Sequence, residues 1–295
     1  MNYTRRQTTV NRISEFAVLV DGLDHSEDVV RGPDGQVYAG GEAGQLYCVD
    51  VAGGTATELA NTGGFLLGLV LDGAGCAYGC DIVRQEVVRI GVESGEVESY
   101  SRGTPDAPAV LPNGLTFAAD GTLYFSDSGE WQENDGRIYA VSPAGVTRVW
   151  STAATAFPNG LALDPDGRWL YVVESSLPGV SRIEVLADGS AGERELLAEM
   201  PETFPDGVTL TDDGTLLIGC YAPDVIYVLR VGGDPEVLAA DTIRMTLNSP
   251  VNCTFGGENG DVLVVSNLGR KHLCRAELGM RGAPLNYPAL PSRTA

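Results

Sequence analysis

The sequence predicts an all-β chain folded as a six-bladed β-propeller, its ring closed by an N-terminal strand that completes the last blade. The first observation is a stretch, clearest as Phe157-Pro158-Asn159-Gly160-Leu161-Ala162-Leu163-Asp164-Pro165-Asp166-Gly167, that recurs six times. Its turn glycines, Gly35, Gly75, Gly121, Gly167, Gly214 and Gly260, are spaced by 40, 46, 46, 47 and 46 residues. A period of that size built from short alternating apolar runs is one four-stranded sheet per repeat. The second is that no helical periodicity of useful length competes with the alternation. The third is that the last repeat lacks a fourth strand, while residues 13–20 form a spare one.

In chain order, residues 1–12 read as an N-terminal tail. Residues 13–20 alternate like a strand and lead through Asp21-Gly22 into the first repeat. The third strands of the repeats are predicted at 45–50, 86–90, 137–141, 181–185 and 225–229. Residues 191–200 have a helix-like composition but fall in fourth-strand register, so they are read as strand. The last repeat offers strands near 252–256, 261–267 and 272–278. Residues 13–285 thus make one domain, and 286–295 a Pro-rich C-terminal tail. Pairing residues 13–20 with the last repeat removes the open edges of an unclosed sheet.

A net charge of −21 repels phosphate backbones and anionic lipid surfaces, which excludes nucleic acid and membrane as partners and leaves a small-molecule substrate. The first ten residues hold no apolar segment of a secretory signal, and no stretch approaches the length of a membrane span, so the chain is expected in the cytoplasm. Six cysteines in 295 residues are no disulfide framework; reduced thiols packed in strands are expected. Oligomeric state leaves no mark in the sequence.

Eight residues before each turn glycine stand Glu27, Leu67, Asn113, Asn159, Asp206 and Asn252. The first strand of a propeller blade faces the central channel, so these equivalent positions converge on the axis. Five of the six carry a side-chain oxygen and none a positive charge. Asn-Gly and Asp-Gly pairs also favour turns, which is the rival explanation for Asn113, Asn159 and Asp206; it does not cover Glu27 or Asn252. As a site, Glu27, Asn159 and Asp206, with Asn113, present hard oxygens to a divalent cation. Ca²⁺ is favoured, with Mg²⁺, Mn²⁺ or Zn²⁺ as the other candidates. Two carboxylates this close would otherwise raise each other's pKa.

These residues, with Pro-Asn-Gly at 158–160, Pro-Asp-Gly at 205–207, Gly219-Cys220-Tyr221 and Asn252-Cys253-Thr254-Phe255-Gly256-Gly257, resemble the SMP-30/gluconolactonase-like proteins along almost the whole chain. The resemblance implies a six-bladed, metal-dependent lactone hydrolase in which Glu27, Asn159 and Asp206 bind the ion and Asn113 helps hold substrate or ion. It also makes Asp206 the candidate base or nucleophile; a base that takes a proton from the attacking water is the role expected here, with Glu27 a ligand beside it.

One position departs from the sugar-lactone members, which carry Arg where this chain has Leu111. Residues two before the ring positions share their face of an extended strand; they read His25, Phe65, Leu111, Phe157, Phe204 and Pro250. With Leu67 they are expected either to wall the mouth for a substrate with an apolar body or to pack the top of the ring. Asn252 and Tyr221 join the candidate substrate contacts, and Asp127, Ser128, Glu130 and Trp131 follow a second strand toward the same mouth. His25 is placed for proton transfer, whereas His272 falls away from the axis. Two other readings use the same scaffold: a phosphotriester hydrolase with the Glu27, Asn113, Asn159 and Asp206 set, and a metal-free, strictosidine-synthase-like condensing propeller relying on a lone carboxylate.

Overall fold

The computed structural model describes residues 11–290; residues 1–10 and 291–295 lie outside it. Six four-stranded antiparallel sheets follow one another. Blades 1 to 5 begin with the channel strands Val29–Arg31, Leu66–Leu71, Pro112–Phe117, Pro158–Leu163 and Phe204–Leu210 and run outward in chain order. Blade 6 contains Pro250–Gly256, Val262–Asn267 and His272–Ala276, and its outermost strand is Phe16–Asp21 from the N-terminus, antiparallel to His272–Ala276. Ring closure therefore follows the sequence expectation, except that Ile13–Glu15 form a turn of 3-10 helix before the strand starts. Residues Ala191–Glu199 are strand, as their register requires.

All six turn glycines have positive φ, between 65° and 88°, which side chains rarely tolerate. The apolar core is divided among the blade interfaces. Leu46 of blade 1 clusters with Leu69 of blade 2, Tyr78 of blade 2 with Phe125 of blade 3, and Leu217 of blade 5 with Val265 of blade 6. Each sheet buries both faces against its neighbours, which accounts for the continuous apolar runs in the inner strands. The six cysteines are free. No helix of the described residues is long and apolar enough to cross a membrane.

The turn glycines mark one end of the ring, the base. Residues 281–290 run across it: Ala283 N–H donates to Leu210 O, Tyr287 Oη to Arg31 O, and Asn286 Nδ2 to Phe117 O. Leu290 is buried within the apolar cluster between blades 2 and 3. This segment floors a central cavity whose walls are the channel strands.

Candidate functional site

At the other end of the channel, five of the six ring residues sit inside an irregularity of their strand, whereas Glu27 stands just before Val29–Arg31. Strand register shifts between Leu66 and Leu69, Pro112 and Leu115, Pro158 and Leu161, Pro205 and Val208, and Pro250 and Cys253. The Asn-Gly and Asp-Gly pairs are thus bulges within continuous strands, not turns; a bulge re-aims a side chain without ending the sheet. Glycine follows the ring residue because adjacent channel strands nearly touch there. A Cβ on Gly114 would lie 2.6 Å from Asn159 O, one on Gly160 2.6 Å from Gly207 Cα, and one on Gly68 2.3 Å from Asn113 O. Blades 6 and 1 differ, with Cys253 and Asp28 in the glycine slot.

Two serines decide which way the amides point. Asn159 Nδ2 donates to Ser175 Oγ at 3.2 Å, and Ser175 spends its own proton on Pro205 O at 2.6 Å. In blade 3, Asn113 Nδ2 donates to Ser128 Oγ at 3.1 Å, and Ser128 donates to Pro158 O at 2.8 Å. Each serine oxygen is consequently an acceptor toward its asparagine, so each amide oxygen is left for other partners. Asn159 is 4% exposed, and its Oδ1 is buried without a hydrogen-bond partner among the described residues.

Carboxylates gather beside that oxygen. Asp206, 7% exposed, is pushed up to about 7 by burial, with the Asn159 amide pulling the other way. Glu27 is held well above the usual carboxylate range by burial first, then by the charges of Asp206, Asp28 and Glu42. Asp28 is pushed up to about 7 by burial, although Leu69 N–H and Val29 N–H donate to it at 2.6 and 2.7 Å. Asp206 thus lies within reach of the Asn159 amide and close enough to Glu27 for their charges to interact. An orphaned amide oxygen among mutually repelling carboxylates fits a hard divalent cation, which takes about six to eight oxygen ligands when it is Ca²⁺. Asn252 stands against the preceding blade: a Cβ on Gly207 would lie 1.7 Å from its Oδ1.

The apolar residues around the ring split into two groups. Phe65, Leu67 and Leu111 pack into the cluster between blades 2 and 3, so they are largely core. Phe157 and Phe204 instead join Trp131 and Tyr221 in an aromatic shelf over blades 3 to 5. Ring centroids are 4.8 Å apart for Trp131 and Phe157, 6.0 Å for Trp131 and Phe204, and 5.5 Å for Phe204 and Tyr221. Trp131 is 41% and Phe204 40% exposed, so the shelf keeps its faces open. Asp206 and Glu27 lie close enough to add to the burial that pushes the Tyr221 phenol up to about 12.

His25 sits at the rim with its Nδ1 2.5 Å from Glu42 Oε2. Asp24 joins them within 4.8 Å but is also bound by Lys271 at 3.4 Å. His272 is buried, its Nε2 2.8 Å from Thr246 O, away from the mouth. Asp127 is structural, accepting from the N–H groups of Val110 and Leu111. Sequence reasoning missed Asp28 and Ser175. The signal for Asp28 was present: it occupies the slot that is glycine in four other blades.

A family model described as the SMP-30/Gluconolactonase/LRE-like region matches residues 32–268. A gluconolactonase of Zymomonas mobilis is 29% identical over 175 residues, 52% of this chain and 47% of that protein. The strictosidine synthase-like 3 protein of Arabidopsis thaliana is 25% identical over 181 residues, 57% of this chain and 45% of that protein. The chain thus spans about half the length of these relatives. Among solved structures, regucalcin from Agrobacterium tumefaciens, a calcium-binding protein, superposes with a TM-score of 0.76 at 16% identity, covering 94% of this chain and 98% of that one.

Proposed function

The chain belongs to the SMP-30/Gluconolactonase/LRE-like family, and on that premise we propose that it hydrolyses a lactone or related ester at the mouth of its channel. Glu27, Asn159 and Asp206, with Asn113, hold a divalent cation, most favourably Ca²⁺, and Asp206 is the base. The observation that carries this reading is the excess of acceptors at the mouth. The carboxylates of Glu27 and Asp206 press on one another, and among the described residues Asn159 Oδ1 has no donor.

When bound, the cation would supply positive charge that polarises the substrate carbonyl and offsets charge developing on its oxygen. The remaining steps belong to the chain. Asp206 Oδ takes a proton from the attacking water as the new C–O bond forms. The acyl–oxygen bond of the ring then breaks and the proton passes to the departing alkoxide, leaving a hydroxy acid. Asn159, fixed by Ser175, keeps Asp206 oriented. The aromatic shelf receives the body of the substrate and displaces water from one side of the mouth. With Leu111 where sugar-lactone members carry Arg, a ring-bearing apolar body suits this mouth better than a bare sugar.

The test is a panel of an aryl-fused lactone, an aliphatic lactone, a sugar lactone and an organophosphate, assayed with and without chelator. Hydrolysis of the lactones, aryl-fused first, that chelator abolishes supports the reading. Preference for the organophosphate would replace it with phosphotriester hydrolysis. Lactone hydrolysis that survives exhaustive chelation would refute the cation, and no hydrolysis at all would return attention to the condensing chemistry suggested by the strictosidine synthase-like relative.

A further inference from the structure

The base of the propeller holds a second cavity, of about 430 Å³, lying against the segment that floors the channel. Ala283, Pro284, Leu285 and Tyr287 line both spaces, so this segment separates the basal cavity from the channel. Two arginines face the basal cavity from different parts of the chain: Arg31 ends the channel strand of blade 1, and Arg281 opens the floor segment.

In a chain with a net charge of −21, arginines are readily paired. Arg84 and Arg102 both bind Glu86, Arg194 binds Glu174 and Arg244 binds Asp224. Among the described residues Arg31 and Arg281 form no ion pair. Arg31 Nη2 reaches only the carbonyls of Gly257 and Glu258, both at 3.4 Å, and its Nε is buried without a partner. The two long contacts leave the Nη groups as the part of Arg31 that a ligand in the cavity can meet, the Nε being closed off from it. Thr254 adds a hydroxyl whose oxygen already accepts from Arg31 N–H at 3.2 Å, so its proton is free to donate into the cavity. Asp212, exposed at the edge, is the carboxylate in the lining.

We propose that this cavity binds the phosphate group of a small molecule, gripped between Arg31 and Arg281. Guanidinium forks match the oxygens of a tetrahedral oxyanion, and two forks with a hydroxyl satisfy more of them than a planar carboxylate offers. The volume exceeds what phosphate alone fills and falls within the range of small-ligand sites. Arg281 joins the floor to blade 5, because Asp212 N–H donates to Arg281 O. Occupancy therefore ties the floor segment to blade 1 from outside the channel.

The experiment is calorimetric titration of the full chain with inorganic phosphate, with a phosphomonoester sugar, and with acetate, at fixed ionic strength and in chelator so that no cation at the mouth captures phosphate. One saturable site for phosphate or the phosphomonoester, with none for acetate, is expected. A tighter phosphomonoester identifies an organic ligand, and equal affinities identify free phosphate. Arg281→Gln, an exposed change, raises Kd about tenfold or more, as does Arg31→Lys, while Asp206→Ala leaves it unchanged. Absence of saturable binding at millimolar phosphate, equal binding of acetate, or undiminished binding by Arg281→Gln would overturn the proposal. Should Arg31→Lys fold poorly, Arg281→Gln alone decides.

Discussion

Blades 2 and 5 bring the same strand to the same level of the channel and use it differently. In both, the register slips at the ring position and a glycine follows, Gly68 in one and Gly207 in the other. Blade 2 places Leu67 there, 8% exposed, in an apolar cluster with its neighbours Phe65 and Leu111. Blade 5 places Asp206 there, equally buried but among oxygens, with Phe204 two residues earlier lying open on the aromatic shelf. Backbone geometry is shared; the side chain and the adjoining loops decide whether the position packs into the core or lies among oxygens beside an open aromatic shelf. The long loop after the second strand of blade 3 makes part of that difference, because it delivers Trp131 over Phe157 and Phe204.

The most severe break in this contrast is Asp206→Ala, which should lower kcat/KM on the preferred lactone by roughly 10²–10⁴-fold, the usual worth of a positioned base. Far-UV circular dichroism should remain that of wild type; full activity would remove Asp206 from the mechanism. At the matching position, Leu67→Ala should instead cost about 2–5 kcal/mol of stability in urea unfolding. Turnover of a small aliphatic lactone should change little. If Leu67→Ala abolished turnover of a well-folded protein, the division between blades would fail.

A finer test is Trp131→Ala. It should raise KM for an aryl-fused lactone about tenfold through lost ring contact and leave the constants for a small aliphatic lactone near wild type. An equal effect on both substrates would mean that the shelf is structural.

The smallest expected effect is on thermal stability against pH. Burial holds Asp206 and Asp28 up at about 7, whereas the unfolded chain releases these protons near the ordinary value of about 4. Over that window the folded state binds more protons. In chelator, then, stability is greatest at the acid end, falls as pH rises from about 4 to about 7, and levels off above. A fall in Tm across that window is expected. Added Ca²⁺ should restore Tm most strongly at pH 8, where the carboxylates are charged. A Tm that rises with pH in chelator would contradict the crowding of carboxylates at the mouth.

Much of the ring was legible because a propeller repeats its geometry. Spacing from the turn glycines located Glu27, Asn159 and Asp206 without any knowledge of contacts, and the positive φ at all six glycines matches the turn each repeat needs. The sequence could not separate Phe65 and Leu111 from Phe157 and Phe204. All four occupy one register, and their fates depend on what the neighbouring blade packs against them. Asp28 escaped notice for the same reason: its carboxylate meets Leu69 N–H of the next blade, 41 residues away.

By itself, then, the order of residues determined the number of blades, the closing strand and the circle of oxygen-bearing positions, since each follows from local alternation and a fixed period. Only the tertiary structure decided that Ser128 and Ser175 turn the amide oxygens free, that four aromatic rings meet over blades 3 to 5, and that residues 281–290 floor the channel. Those outcomes depend on contacts between blades, where a few tenths of an ångström and the direction of one hydroxyl proton settle which group faces inward, and no local pattern encodes them.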